Sequence, residues 1–572
     1  MTRTLQPVAS PAVRQEWTKC PGCGSLVYYK RLDRNLWVCP ECEHHVRMGA
    51  RARIGTMVDP GSFREVGFDP VMPDPLDFSD SREYRDRLAD ATARSGESEA
   101  VVVGEALLGG REAVLAVMEF SFMGGSMGLE VGHRVSEAAD RALRARKPLI
   151  VVCASGGARM QEGVFSLLQM ARTAVAFARL REAGVLSVCV LTDPTYGGVS
   201  ASFASLGSVV VAESGAHVGF AGPRVVQETI HAALPPGFQA AESQLAHGLV
   251  DRVENRADLR SLLIRLIDLH SGPGASPALD LDPDAAAAAA EPAGSPATRD
   301  PWAVVQAARS VERPTTADYL RLVFDDFVEL HGDRAFADDP AIVGGPASLG
   351  GRSVVVIGTQ KGHSVKDLVA HNFGMAHPEG YRKAMRLMEH AESFGLPVVT
   401  LVDTPGAHPA PDAEDRGQSI AIAESILRSA RLRVPVVAVI TGEGGSGGAL
   451  ALSTSDRLLV LENAFLSVIS PEGCAAILWR SAASAPTAAR ALRLGAPQLL
   501  DSGIATSIVP EPPGGAQADP DGCARRLREA LIREIDELRA VPAAELLAGR
   551  EHRFSRLGGA AMTTPLVTEL VG

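Results

Sequence analysis

Short apolar runs closed by glycine-rich turns recur along this chain: PLIVVCASGG from Pro148, LSVCVLTDPTYGG from Leu186, PVVTLVDTPGA from Pro397 and PVVAVITGEGGSGG from Pro435. Runs of this length, rich in β-branched residues and without polar alternation, predict strands buried on both faces, as in a parallel sheet. Helical segments at Phe165–Glu182 and Tyr381–Phe394 lie between them, so strand and helix alternate and the fold class is α/β. A further helical periodicity runs from about Asp521 to Leu547, whereas Asp59 to Ser98 reads as a polar stretch.

The same signals occur twice in order. At a shift of 250 residues Gly156 falls on Gly406 and Gly197-Gly198 on Gly447-Gly448; at 249, Glu213 falls on Glu462. Strand and turn signals matching together point to a duplicated lobe. Ligands of α/β proteins gather at the C-terminal ends of strands, where these glycine turns sit, so two such lobes point to one site built between them. The stretch from Ser271 to Pro301, SGPGASPALDLDPDAAAAAAEPAGSPATRDP, is too rich in Pro, Gly and Ala to bury much surface and reads as a linker.

A length of 572 residues exceeds what one core supports. The net charge of −12 argues against a nucleic-acid partner. No apolar run reaches the roughly 18 residues of a membrane span, the N-terminus has no signal-like apolar core, and the scattered Cys153, Cys189, Cys474 and Cys523 read as reduced thiols; the expectation is a soluble, cytoplasmic protein. None of the six lysines follows a methionine, so the chain has no Met-Lys biotin-attachment pair.

Cys20-Pro-Gly-Cys23 and Cys39-Pro-Glu-Cys42 form two CxxC turns fifteen residues apart. Two such turns supply tetrahedral S4 coordination, which suits Zn²⁺ and leaves no open position, so the metal is structural. The Ala154–Arg159 turn and the Thr441–Gly448 turn each follow a buried strand. Glycine lets backbone N–H groups approach a ligand closely, and such donors can hold a developing oxyanion. For any single glycine pair, close helix–strand packing is the ordinary explanation; the repetition favours a site. Gly444–Gly448 and Gly124–Gly128 also match the GxSxG elbow of serine hydrolases, but after Gly448 only His552 follows, in the polar tail, and at the 250-residue shift Ser446 faces a tyrosine, Tyr196. The absence of a Gly-Lys dipeptide excludes a P-loop.

With these residues in view, Trp17 to about Val253 resembles the β subunit of bacterial acetyl-CoA carboxylase carboxyltransferase, through CPGCG…CPEC, FSFMGGSMG, LIVVCASGGARMQEG, LTDPTYGGVSASFA and GFAGPRV. Pro314 to about Gly515 resembles its α subunit, through DFVELHGDRAF, NFGMAHPEGYRKAMRLM, DTPGAH, EDRGQS, GEGGSGGALAL and SVISPEGCAAILW. The resemblance implies a zinc ribbon (16–46), a β-type lobe (47–270), the linker (271–301), an α-type lobe (302–550) and a tail (551–572), each lobe a crotonase-like ββα superhelix. It further implies carboxyl transfer from carboxybiotin, carried on a separate biotin carboxyl carrier protein and charged by an ATP-dependent biotin carboxylase, to acetyl-CoA, giving malonyl-CoA for fatty-acid or polyketide synthesis. Gly156 and Gly157 would hold the acyl-CoA enolate; Gly444, Gly445, Gly447, Gly448 and Ala449 would hold the anion on biotin; Lys361 and Lys366 would meet CoA phosphates. Separate subunits pair as α2β2, so the fused chain is expected to form a homodimer. Two places depart from the family: GHSVKD at Gly362–Asp367 replaces the usual GRDTKE, and His408-Pro409-Ala410 replaces Tyr-Pro-Gly. The other readings are a carboxylase or decarboxylase of another acyl-CoA, such as propionyl-CoA, and a zinc-ribbon binding protein whose lobes lack catalysis.

Overall fold

The computed structural model describes residues 17–68, 72, 74–231, 233–271 and 299–556. Most of the expected linker, 272–298, and of the expected tail, 557–572, lies outside the described residues. Two compact units divide the chain, Met1–Asp268 and Leu269–Gly572.

In the first unit, β1 (Trp17–Lys19) and β2 (Leu26–Tyr28) form a small antiparallel ribbon. The remaining described strands form one sheet in sequence order: β3 (Arg64–Glu65), β4 (Val101–Leu108), β5 (Arg111–Met118), β6 (Leu149–Ser155), β7 (Ser187–Thr195), β8 (Val209–Glu213) and β9 (Arg252–Glu254). β3, β4 and β5 pair antiparallel; from β5 to β9 every pairing is parallel. Parallel strands need crossovers, which here include helices α1 (Leu129–Ala145), between β5 and β6, and α2 (Val164–Glu182), between β6 and β7. All seven residues of β6 are buried, which explains its unbroken apolar run. Val151 of β6, Val135 of α1 and Phe177 of α2 belong to one core.

The second unit repeats the plan with β10 (Asp326–Phe327), β11 (Ile342–Leu349), β12 (Arg352–Thr359), β13 (Val398–Thr404), β14 (Val436–Gly445), β15 (Arg457–Leu461) and β17 (Ser507–Val509), while β16 (Phe465–Ser467) pairs beside β14. Helices α3 (Pro378–Phe394) and α4 (Gln418–Arg431) fill the places of α1 and α2, α5 (Ser446–Ser453) follows β14, and α6 (Pro520–Arg539) and α7 (Ala543–Arg556) carry the C-terminal periodicity.

A uniform shift of 249 residues relates β6 to β13, β7 to β14 and α1 to α3. Even an irregularity is shared: the β6–β7 ladder slips between Cys153 and Ser155, and the β13–β14 ladder between Val402 and Thr404. The shift of 250 is therefore one residue off at the turns. The partner of Gly406 is Gly157, not Gly156, and the partner of Ser446 is Gly197, not Tyr196. Backbone conformation agrees: Gly157 and Gly406 have φ of +126° and +152°, Gly197 and Ser446 of +58° and +55°. A second difference lies in the polar stretch after Asp59, where Tyr84–Ser95 is helical because Tyr84 and Ala91 bury one side of it.

Candidate functional site

The metal site is built by two turns. Cys20 N–H bonds Ser25 O and Gly24 N–H returns to Cys20 O; Cys39 N–H bonds His44 O and Glu43 N–H returns to Cys39 O. These turns bring the sulfurs of Cys20, Cys23, Cys39 and Cys42 within 4.8 Å of one another, with Cys20 Sγ 3.7 Å from Cys42 Sγ. Four thiolates so grouped fit Zn²⁺, and among the described residues no other ligand joins them. His44 packs on Gly22, and His45 faces Glu213 instead, 3.8 Å away. The ribbon is tied to its lobe by Arg256, whose Nη1 donates to the carbonyls of Leu36, Trp37 and Val46 while its other nitrogens grip Glu213. Arg53 shares the same buried carboxylate. Burial works to raise the Glu213 carboxyl, but Arg53 and Arg256 outweigh it and hold it well below the usual carboxylate range.

At the end of β6 the predicted donors turn out to be engaged. Gly156 N–H bonds Gly124 O at 2.8 Å, and Gly157 N–H bonds the Ser155 hydroxyl at 3.0 Å. In the second unit Pro405 stands where Gly156 does and has no N–H to give, and Gly406 N–H bonds the Thr404 hydroxyl at 3.1 Å. Among the described residues, the next N–H in each turn, at Ala158 and Ala407, has no acceptor. Both turns are pinned beyond that point by one equivalent bond, Arg159 N–H to Met127 O and His408 N–H to Ala376 O.

Each of these nitrogens lies close to the start of a helix. A Cβ on Gly198 would stand 3.5 Å from Ala158 N, and one on Gly448 would stand 2.5 Å from Ala407 N. The helices opening at Gly197 and at Ser446 have no side-chain cap, so their first-turn N–H groups lack a partner from within the helix. In the first unit the Ala158 N–H thus lies beside Gly198, and in the second the equivalent Ala407 N–H lies beside Gly448, one residue further into its helix than the equivalent of Gly198, Gly447. Gly444 and Gly445 end β14 and pair with Leu466 and Ser467 of β16, and Ala449 lies inside the helix. A Cβ on Gly445 would fall into the Pro405 carbonyl. Ser446 Oγ bonds no histidine among the described residues, which removes the hydrolase elbow.

A chain of Saccharopolyspora erythraea named acetyl-coenzyme A carboxylase carboxyl transferase subunits beta/alpha is 54% identical over 558 residues, 97% of each chain. The present chain belongs to that carboxyl transferase family. A Salinispora tropica chain of the same name is 53% identical over 97% of this chain and 98% of its own. Residues 296–558 match the acetyl co-enzyme A carboxylase carboxyltransferase-like family, and 17–42 the acetyl-CoA carboxylase zinc finger domain. The fold is that of the crystal structure of transcarboxylase 12S with methylmalonyl-coenzyme A and methylmalonic acid bound (TM-score 0.67, 21% identity, 86% of this chain and 90% of that one). A single-chain long-chain acyl-CoA carboxylase shares it as well (TM-score 0.63, 21% identity, 85% of this chain and 47% of that one).

Within this carboxyl transferase the two candidate lysines part company. Lys361 is enclosed, its Nζ 2.8 Å from both Asp403 and Glu443 at the ends of β13 and β14. Burial favours its neutral form, yet these two carboxylates outweigh burial and raise its pKa. Arg309 grips the other oxygen of Glu443, and Glu443 N–H bonds Asp403. Lys361 is thus engaged by two carboxylates beneath the turn. Lys366 is exposed on the short helix Val365–Ala370 and has no partner among the described residues.

Sequence reasoning missed a further cluster beside the second turn, where His377, His408 and Asp412 bring ligand atoms within 4.8 Å of one another. Asn372 Nδ2 lies 2.7 Å from Met375 O and 2.9 Å from His408 Nδ1, and His408 Nε2 stands 3.8 Å from Asp412. At that distance the ring and Asp412 are near neighbours without a hydrogen bond.

Proposed function

We propose that this chain transfers the carboxyl group of carboxybiotin, held on a separate carrier protein, to acetyl-CoA, giving malonyl-CoA. One observation carries the reading: in each of two duplicated lobes a backbone N–H without an acceptor, at Ala158 and at the equivalent Ala407, lies against the uncapped start of a helix. The reaction places negative charge on two oxygens, and backbone donors in each lobe suit one of them. Carboxybiotin supplies CO2 and a ureido anion as its N–C bond breaks. That anion accepts the α-proton of the thioester, and the enolate carbon forms a bond to CO2. Nothing in this sequence needs a side-chain nucleophile; it needs preorganised donors in a water-poor site, each worth roughly 3–4 kcal/mol of transition-state stabilisation.

On this reading Ala158 and Gly198 hold the thioester enolate, and Ala407, Gly447 and Gly448 the ureido oxygen. Gly156, Gly157, Gly444, Gly445 and Ala449 shape the turns that aim them. Lys366 is the lysine available to a CoA phosphate. The zinc ribbon is structural. The chain works with a biotin carboxyl carrier protein and a biotin carboxylase, forms a homodimer equivalent to α2β2, and acts in the cytoplasm, in fatty-acid or polyketide synthesis. The names of its relatives favour acetyl-CoA over propionyl-CoA as the acceptor. Malonyl-CoA-dependent carboxylation of free biocytin, run in reverse, tests this. Turnover is expected with malonyl-CoA in preference to methylmalonyl-CoA; the opposite preference would overturn the acetyl assignment, and turnover with neither would overturn carboxyl transfer.

A further inference from the structure

Helices α1 and α3 are equivalent at the shift of 249, but one position differs in a way that bears on the two turns. In the first unit Gly132 occupies it, and Gln169 packs against that glycine. In the second unit the equivalent residue is Tyr381, which is 1% exposed. Its hydroxyl lies 2.8 Å from where a Cβ on Gly448 would stand, beside Ala407 N at 2.5 Å and Gly406 C at 2.7 Å from the same point. The phenol oxygen therefore lies on the side of Gly448 that faces the second turn, as Ala407 N does. Among the described residues this hydroxyl has no hydrogen-bond partner. The ring is buried, but its oxygen is not fully enclosed, so an acceptor arriving at the turn can take its hydrogen. Burial, with nearby Asp339, raises its pKa, and it stays a donor at neutral pH.

We infer that Tyr381 is a catalytic residue, its hydroxyl donating to the oxyanion held by Ala407, Gly447 and Gly448 in the second unit. The inference rests on the carboxyl-transfer reading above and adds an asymmetry to it: one lobe stabilises its anion with backbone donors alone, the other adds a phenol. The proton stays on the phenol oxygen throughout, and no bond to Tyr381 forms or breaks.

Tyr381→Phe removes one oxygen from a packed ring and tests this directly. Reverse carboxyl transfer from malonyl-CoA to biocytin and thermal unfolding are measured on the same preparations of wild type and variant. The expected result is a kcat lower by about ten- to a hundredfold, a KM for malonyl-CoA within about twofold, and a melting temperature at or above that of wild type. Wild-type kcat in the variant would overturn the inference. A fall in melting temperature accompanied by a rise in KM would overturn it too, by marking the hydroxyl as structural. Wild-type protein that gives no turnover would sink the carboxyl-transfer reading instead, which keeps the two failures apart.

Discussion

Gly198→Ala separates the donor role from the packing role of the glycine turns. Gly198 does not have a positive φ, so alanine meets no backbone strain there. Its Cβ would stand 3.3 Å from Ala158 Cβ and 3.5 Å from the Met127 methyl, tight contacts that a few tenths of an ångström relieve. Alanine also regains some of the roughly 0.5–1 kcal/mol that glycine costs in a helix, so net stability should move by no more than about 1 kcal/mol. The same methyl would sit 3.5 Å from Ala158 N, in the space an oxygen bonded to both N–H groups must occupy. Losing that geometry should cost about 3–4 kcal/mol of transition-state stabilisation, a fall of roughly 10² to 10³ in kcat. Steady-state malonyl-CoA-to-biocytin transfer alongside urea unfolding measures both. Near-normal kcat in the variant would refute the assignment of Ala158 and Gly198, and so would a loss of activity matched by a loss of several kcal/mol of stability.

Other substitutions probe the supports. Glu213→Ala leaves Arg53 and Arg256 buried without their carboxylate and should cost about 3–5 kcal/mol in urea unfolding; a change under about 1 kcal/mol would show the cluster to be dispensable. Because the folded pKa of Glu213 lies below its ordinary value of 4.5, its contribution is complete above that value and is lost as pH falls through the lower folded value. Wild type should thus lose stability with acid below about pH 4.5 more steeply than Glu213→Gln; parallel curves would contradict this. Lys361→Met should destabilise the second unit by about 3–5 kcal/mol by leaving Asp403 and Glu443 facing each other, whereas Lys366→Ala should raise the KM for acyl-CoA at unchanged melting temperature; the reverse pattern would restore Lys361 as the CoA lysine. Cys39→Ala should lose zinc, measured by elemental analysis; one zinc per chain in that variant would refute the four-thiolate site.

Much of this was legible in the residues. The quoted apolar runs became β6, β7, β13 and β14 because strands flanked by helices on a parallel sheet need apolar residues on both faces. The four cysteines came together because a CxxC turn aims both sulfurs one way. The free N–H groups were harder to name. Gly156 and Gly157 are conspicuous as glycines, but their N–H groups are consumed in holding the turn, and a free N–H at Ala158 needs no distinctive side chain. The one signal that could have found it is the repeat itself: the shift of 249 aligns Gly156 with Pro405, which cannot donate. Lys361 illustrates the other limit, since a lysine between two turns reads as a phosphate contact until the strand ends place Asp403 and Glu443 against it.

The central claim is that backbone N–H groups at paired glycine turns polarise the oxygens on which charge develops. Infrared difference spectra of bound acetyl-CoA labelled with ¹³C at the thioester carbonyl test it most directly. The carbonyl stretch should fall below its frequency in water on binding to wild type and return toward that frequency in Gly198→Ala. A stretch at or above the aqueous frequency in wild type, or one unchanged by Gly198→Ala, would contradict it.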